Sequence, residues 1–351
     1  MDDNRKPIFC VKDSNGINFL KLIAAIQVFV QHTTAHLDLD YVPALLRPVY
    51  VIFNGVPVFF ILSGFLIWSS IARTPNLKTF CKKRLFRLYP ELWGGVAVSF
   101  VAITALYGSD IKWPAFLAFQ ATQSTFLQFW TPDFLRDYGC GTPNGSLWTI
   151  CVMLQAYIVM WFLHKLLHGR RWEYWALMMT ATVAMGFLPY PVRKLFPEIL
   201  YKLFMQTFVP YLWLFALGML LCEFFDKWIV YLRRFWYVPA LLALTLAVLG
   251  WDIGAKYNLF ISTLMAPAMI GFAYASPRLA IKHDISYGLY IYHMIVVNVL
   301  VELGFTGKPV YVIVALVISI VCAAASYVTL GFIARSKREK IKEQAEKSNE
   351  F

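Results

Sequence analysis

The sequence predicts an all-α polytopic membrane protein of about ten transmembrane helices with both termini cytoplasmic, and three observations carry that prediction. The 351 residues are 59% hydrophobic and 15% charged, against roughly 45–50% and ~25% in an ordinary soluble domain. Apolar runs recur from residue 17 to residue 334 with no polar interval long enough for a soluble domain. Lysine and arginine are confined largely to alternate loops, as the two faces of a bilayer require.

A helix that crosses the hydrocarbon core needs about 20 mainly apolar residues. Segments of that kind lie at 17–36, 49–72, 88–107, 145–163, 174–190, 203–222, 235–251, 257–275, 285–304 and 309–334. The fifth is short and ends in Pro189-Tyr190-Pro191, and the stretch 113–130 is apolar and aromatic enough for a re-entrant or interfacial piece, so the count spans nine to eleven. Residues 1–16 read as a cytoplasmic segment rather than a cleavable signal, since Asp2, Asp3 and Asp13 lie there. Residues 17–334 read as one membrane domain, and 335–351 as a charged cytoplasmic tail, a solvated helix or disordered end.

With both ends inside, 24 of the 32 Lys and Arg fall on the inner side and eight on the outer. Positive residues concentrate in short cytoplasmic loops, which sets the orientation. The formal charge of +12 therefore reflects membrane topology. No basic stripe interleaved with aromatics points to nucleic acid. The six cysteines are scattered without metal-ligand spacing and read as free thiols, and no closely spaced His, Cys and carboxylate set implies a metal. The largest outer loop, 108–144, holds Gly108, Pro114, Pro132, Gly139, Gly141 and Pro143 and reads as part of a lid or substrate entrance.

Five places could carry chemistry. His32 ends the run from Asn18; eleven residues above Lys21, at ~1.5 Å each, put it ~16 Å up, near the middle of a ~30 Å core. An ionisable group at that depth needs partners or water. It is either a packing histidine bonded to a neighbour or a functional one. His36, a turn further out, reads as interfacial. Arg84 and Arg87, in Phe80-Cys-Lys-Lys-Arg-Leu-Phe-Arg-Leu-Tyr-Pro90, share a helical face at the inner surface. They are an ordinary positive-inside anchor or a pair that grips phosphate bidentately. In Asp284-Ile-Ser-Tyr-Gly-Leu-Tyr-Ile-Tyr-His293, the residues Ser286, Tyr290 and His293 fall near one face. His293 reaches about the depth of His32, so one polar interior holds both, unless His293 only glues helices. Ser63-Gly64 and Asn144-Gly-Ser-Leu-Trp148-Thr149 are small-plus-aromatic patches whose ordinary role is close packing.

Taken in order, these segments resemble acyltransferase family 3, the multi-span enzymes that O-acetylate bacterial surface glycans, from about residue 15 to 334. The resemblance implies transfer of acetyl from cytoplasmic acetyl-CoA to a hydroxyl of lipopolysaccharide O-antigen or another envelope polysaccharide, lipid-linked or exported, in the bacterial inner membrane. By the same resemblance His32 matches the essential first-span histidine, as general base or as an acetyl carrier. Arg84 and Arg87 match the Arg-x-x-Arg pair that would bind the donor's phosphates, with Ser63, Trp148, Ser286, Tyr290 and His293 in supporting roles. Three positions depart from the family pattern. Met153 stands near the usual acidic residue after Leu-Trp-Thr, with Gln155 following, and Lys21 and Asn18 replace the usual Arg and Asp. The rival readings are a transporter or flippase for a lipid-linked saccharide, whose two related halves are not visible here, and a non-catalytic membrane partner.

Overall fold

A computed structural model describes residues 15–39, 47–254 and 256–347. Among them there are sixteen α-helices with short 3₁₀ turns and no strand. The helices are α1 (Ile17–His36), α2 (Arg47–Ile52), α3 (Gly55–Ala72), α4 (Leu77–Tyr107), α5 (Trp113–Gln123), α6 (Trp148–Leu167), α7 (Trp172–Phe187) and α8 (Pro189–Leu195). They continue as α9 (Glu198–Phe204), α10 (Leu212–Glu223), α11 (Phe225–Phe235), α12 (Tyr237–Val248), α13 (Leu259–Ala275), α14 (Ser286–Glu302), α15 (Val310–Val328) and α16 (Leu330–Lys347). Most of the N-terminal segment, Cys10 and the last four residues lie outside the described residues.

Helix occupies each of the ten apolar segments, but length and composition qualify fewer as spans. Five stretches are long and apolar enough: Arg47–Ala72, Leu77–Asp110, Gly145–Leu167, Trp172–Leu195 and Val310–Glu343. Two bent pairs raise the number to seven, α9 with Val209–Glu223, bent by 55°, and α11 with α12, bent by 69°. The shortfall has a physical cause. The bends divide single apolar runs into short helices, α13 and α14, of 17 residues each, fall below the length that spans a bilayer unaided, and α1, though 20 residues long, is diluted by Asn18, Lys21, Gln27, Gln31 and His32. On α15, Ile313, Val317, Val321 and Val328 are each more than half exposed. A stripe of that kind is stable against lipid and not against water. The chain is a multi-pass membrane protein.

The described residues form two compact units. One comprises 15–24, 47–77 and 152–282, the other 25–39, 78–151 and 283–347. In the first, α3 and α10 touch backbone to backbone. A methyl group at Gly64 would overlap the Phe215 carbonyl and one at Gly218 the Ile61 carbonyl, so the close approach expected at Ser63-Gly64 is real. Phe60 and Phe215 stack beside it with centroids 4.7 Å apart. Asn54 and Asn258 start α3 and α13 by accepting from the backbone N–H of Val56 and Ile261.

In the second unit α14 is buried nearly all round and acts as a spine. Gly288 lies against Ala323 of α15, and Gly95 of α4 against Ile291. The 108–144 loop is pinned to the far end of the same helix. Asn298 Oδ1 accepts from Cys140 N at 2.8 Å, its Nδ2 donates to the carbonyls of Thr142 and Pro143, and Glu302 accepts from Gly139 N at 2.8 Å. Gly139 and Gly141 have φ of 54° and 73°, where glycine carries no steric penalty; a Cβ on Gly139 would strike Asn298. The 113–130 piece contains α5, whose Phe116 and Phe119 pack with Ile103, Ile111, Leu135 and Tyr138. The 334/335 boundary expected between membrane domain and tail falls inside α16, where Ala334 and Ile341 are buried.

Candidate active site

The two histidines expected at one depth meet. His32 Nδ1 lies 2.8 Å from His293 Nε2, and the rings stack at 5.1 Å with 18° between their planes. They come from positions 261 residues apart. His293 is fully buried, walled by Phe29 at 6.4 Å and Tyr290 at 5.9 Å. His32 is only partly buried, so one ring of the pair can meet a substrate and the other cannot. His36 stands 6.1 Å from His32.

Behind His293, the Asn-Gly-Ser-Leu-Trp-Thr segment locks α14. Tyr290 O–H donates to the Ser146 carbonyl at 2.9 Å and lies 2.9 Å from Thr149 Oγ1. Asn144 Nδ2 donates to the Ile291 carbonyl at 3.0 Å, and Ser146 Oγ donates to Asn144 Oδ1 at 2.8 Å. Trp148 is the first residue of α6 and continues this segment. These bonds consume the polar groups of Tyr290 and Ser146, which fits them for holding a wall and not for proton transfer.

Charge collects at the opposite end of α14. Arg87 Nη2 lies 3.5 Å from Asp284 and its Nη1 3.9 Å from Glu91, with the guanidinium 5.5 Å over the Tyr287 ring. Ser286 N–H and Oγ–H both donate to Asp284 Oδ1, turning the other carboxylate oxygen toward Arg87. Arg84 packs 5.4 Å over Phe80. Arg335 and Arg338 of α16 join them. Arg338 acts electrostatically with Arg84, Arg87, Arg335 and Glu91, and Arg335 lies 4.0 Å over the Tyr327 ring. Four guanidiniums thus face two carboxylates. Such an excess of planar donors suits a multiply charged phosphate ligand. From Ser286, the first residue of α14, to His293 is seven residues, about 10 Å of helix at ~1.5 Å each.

Residues 14–328 match the acyltransferase domain family. The chain belongs to acyltransferase family 3. This acyltransferase is also 27% identical to Nodulation protein 10 of Rhizobium leguminosarum bv. viciae, over 89% of this chain and 91% of that protein. No solved structure matches it.

Of the residues singled out in this acyltransferase from sequence, His32, His293, Tyr290, Ser286, Trp148, Arg84 and Arg87 all lie in the unit built on α14. Ser63 lies in the other unit, where its Oγ faces Met153 Sδ at 3.9 Å. Met153, at the departure from the family's acidic position, also lies 3.9 Å from the Tyr157 hydroxyl. Gln155 spans the break between α9 and α10, donating to the Gln206 carbonyl at 2.9 Å and accepting from Phe208 N at 3.2 Å. The substituted pair is in contact, Lys21 Nζ donating to Asn18 Oδ1 at 3.1 Å. Sequence reasoning missed Arg335 and Arg338, which it placed in a solvated tail, and Asn298, one polar residue in an apolar run. Their spacing of three, which puts Arg335 and Arg338 on one helical face, was the available signal.

Proposed function

We propose that this acyltransferase moves an acetyl group from cytoplasmic acetyl-CoA to a hydroxyl of O-antigen or another bacterial envelope polysaccharide, with the inner membrane as its setting. The observation that carries the reading is the partly exposed His32, backed by the buried His293, which stands about 10 Å along α14 from the end that meets the arginine cluster. The arginines fit the phosphates of CoA, and that separation suits its extended pantetheine arm. His32 acts as general base. It takes the proton of the acceptor hydroxyl as that oxygen attacks the thioester carbonyl; the C–S bond breaks, and the CoA thiolate recovers the proton. Tyr290 and Trp148 support the wall behind His293, and Ser286 orients Asp284 toward Arg87.

The proposal includes ten crossings with both ends cytoplasmic, short or bent helices being completed by their partners. It rests on the 24 to eight division of basic residues, which puts the arginine cluster on the side where acetyl-CoA is found and the 108–144 loop on the side of an exported glycan. The test is mass spectrometry of the host's surface glycans with and without the gene, joined to transfer of labelled acetyl from acetyl-CoA by purified protein. A mass gain of one acetyl group per modified unit is expected. Identical glycans, with no acetyl transfer by active-fold protein, would overturn the reading.

A further inference from the structure

The hydrogen bonds of His293 dictate the state of His32. Nδ1 of His293 lies 3.2 Å from the Leu289 carbonyl oxygen, an atom that can only accept, so this nitrogen carries a proton. A neutral imidazole has one N–H and one lone pair. Nε2 of His293 is therefore bare. It faces Nδ1 of His32 at 2.8 Å, and two lone pairs at that separation would repel, so Nδ1 of His32 carries a proton as well and donates it. The lone pair of His32 is left on Nε2. The opposite arrangement would put a second proton on His293 and make it a fully enclosed cation. The ionisable groups that act on His293 are the imidazoles of His32 and His36, not a carboxylate, so nothing there offsets the loss of hydration.

We propose that His293 is a positioning residue that holds His32 in the Nδ1–H tautomer and so makes His32 Nε2 the atom that receives the acceptor's proton. The proposal rests on the acyl-transfer reading of the site. It explains why a second histidine is enclosed at this depth. A neutral imidazole in water favours the Nε2–H form, which would present a donor where a base is needed, and a hydrogen-bond partner on the far nitrogen is what selects the tautomer. The Leu289 carbonyl fixes His293 in turn, so the selection runs from backbone to His293 to His32 with no ionised group.

Two measurements test this. Imidazole-nitrogen NMR of isotope-labelled protein, with the His32 signals identified by their loss in His32→Ala, should show Nδ1 protonated and Nε2 bare in the wild type. It should show the Nε2–H form gaining in His293→Phe. Steady-state transfer of acetyl from acetyl-CoA to extracted host polysaccharide should fall roughly a hundredfold in kcat for His293→Phe, while KM for each substrate stays within about twofold. His293→Gln, whose Oε1 can accept from His32 Nδ1, should recover to within about tenfold of wild type. A protonated Nε2 on wild-type His32 overturns the proposal. So does wild-type kcat in His293→Phe, or an equal loss in the Gln and Phe variants when both elute as folded, monodisperse protein. The NMR result does not depend on activity: a chain that transfers no acetyl yet shows the expected tautomer loses the acyl-transfer reading and keeps the histidine geometry.

Discussion

Two stacked histidine pairs occur in this protein, one in each unit, and they are built for opposite purposes. His164 and His168 sit on consecutive turns at the end of α6, with rings 4.5 Å apart and 17° between planes. His168 Nδ1 lies 2.9 Å from Glu223, whose carboxylate also accepts from Trp68 Nε1 at 2.7 Å and Gly169 N at 2.6 Å. His164 is wedged against Trp68 at 4.6 Å. This is a knot: a carboxylate saturated by three donors, joining the end of α6 to α3 and α10. His32 and His293 instead touch nitrogen to nitrogen, meet no carboxylate among the described residues, and leave one ring partly open. Ring stacking is common to both. Which atoms the nitrogens meet, and whether one ring reaches the outside, separates a site from a clamp.

The largest expected effect breaks that comparison outright if it fails. His32→Ala should lower acetyl transfer by about a thousandfold or more, within the range for losing a general base, while the protein elutes from membranes as wild type does. His164→Ala should leave kcat within about threefold, since no substrate contact is lost. Comparable losses in the two variants would return His32 to a packing role.

Next comes the loop tied to the C-terminal end of α14. Burial pushes the Cys140 thiol from its ordinary 9.0 up to about 11, and maleimide reacts with the thiolate. At neutral pH labelling should run roughly a hundredfold slower than at an ordinary exposed thiol, rising about tenfold per pH unit until the thiol titrates. In a cysteine-free background, Ser109→Cys in the exposed part of the loop should label readily with an impermeant maleimide once the outer barrier is opened, and Lys340→Cys should not. The reverse pattern would invert the topology and take the arginine cluster away from acetyl-CoA.

Arg84→Ala or Arg87→Ala should weaken CoA binding more than tenfold by calorimetry in detergent, from the loss of charge-assisted hydrogen bonds of about 1.5–3 kcal/mol. Arg338→Ala should weaken it in the same direction with kcat at saturation little changed. Unaltered affinity in Arg84→Ala and Arg87→Ala would make the cluster a membrane anchor.

The smallest change in rate belongs to the knot. Glu223→Gln should leave kcat near wild type yet lower stability by about 1–3 kcal/mol, seen as a lower thermal midpoint in detergent. A kinetic defect without a stability defect would show that the second histidine pair takes part in transfer after all.

The sequence by itself determined the helical class, the membrane habitat and the motif order that marks the family, because hydrophobic runs and local spacing are properties of contiguous residues. It also determined that Arg84 shares a face with Arg87 and Ser286 with Tyr290 and His293, since a helix's period of 3.6 does that without tertiary contacts. Only the tertiary structure decided which histidines meet. His32 finds a partner 261 residues away, while His36, one turn along the same helix, stands 6.1 Å off. It alone brought Arg335 and Arg338 to Arg84 and Arg87, because an amphipathic basic helix reads the same in sequence whether it faces solvent or packs back on its own protein. The number of crossings met the same limit: a bend of 55° or 69° inside an apolar run arises from packing between helices, which composition does not encode.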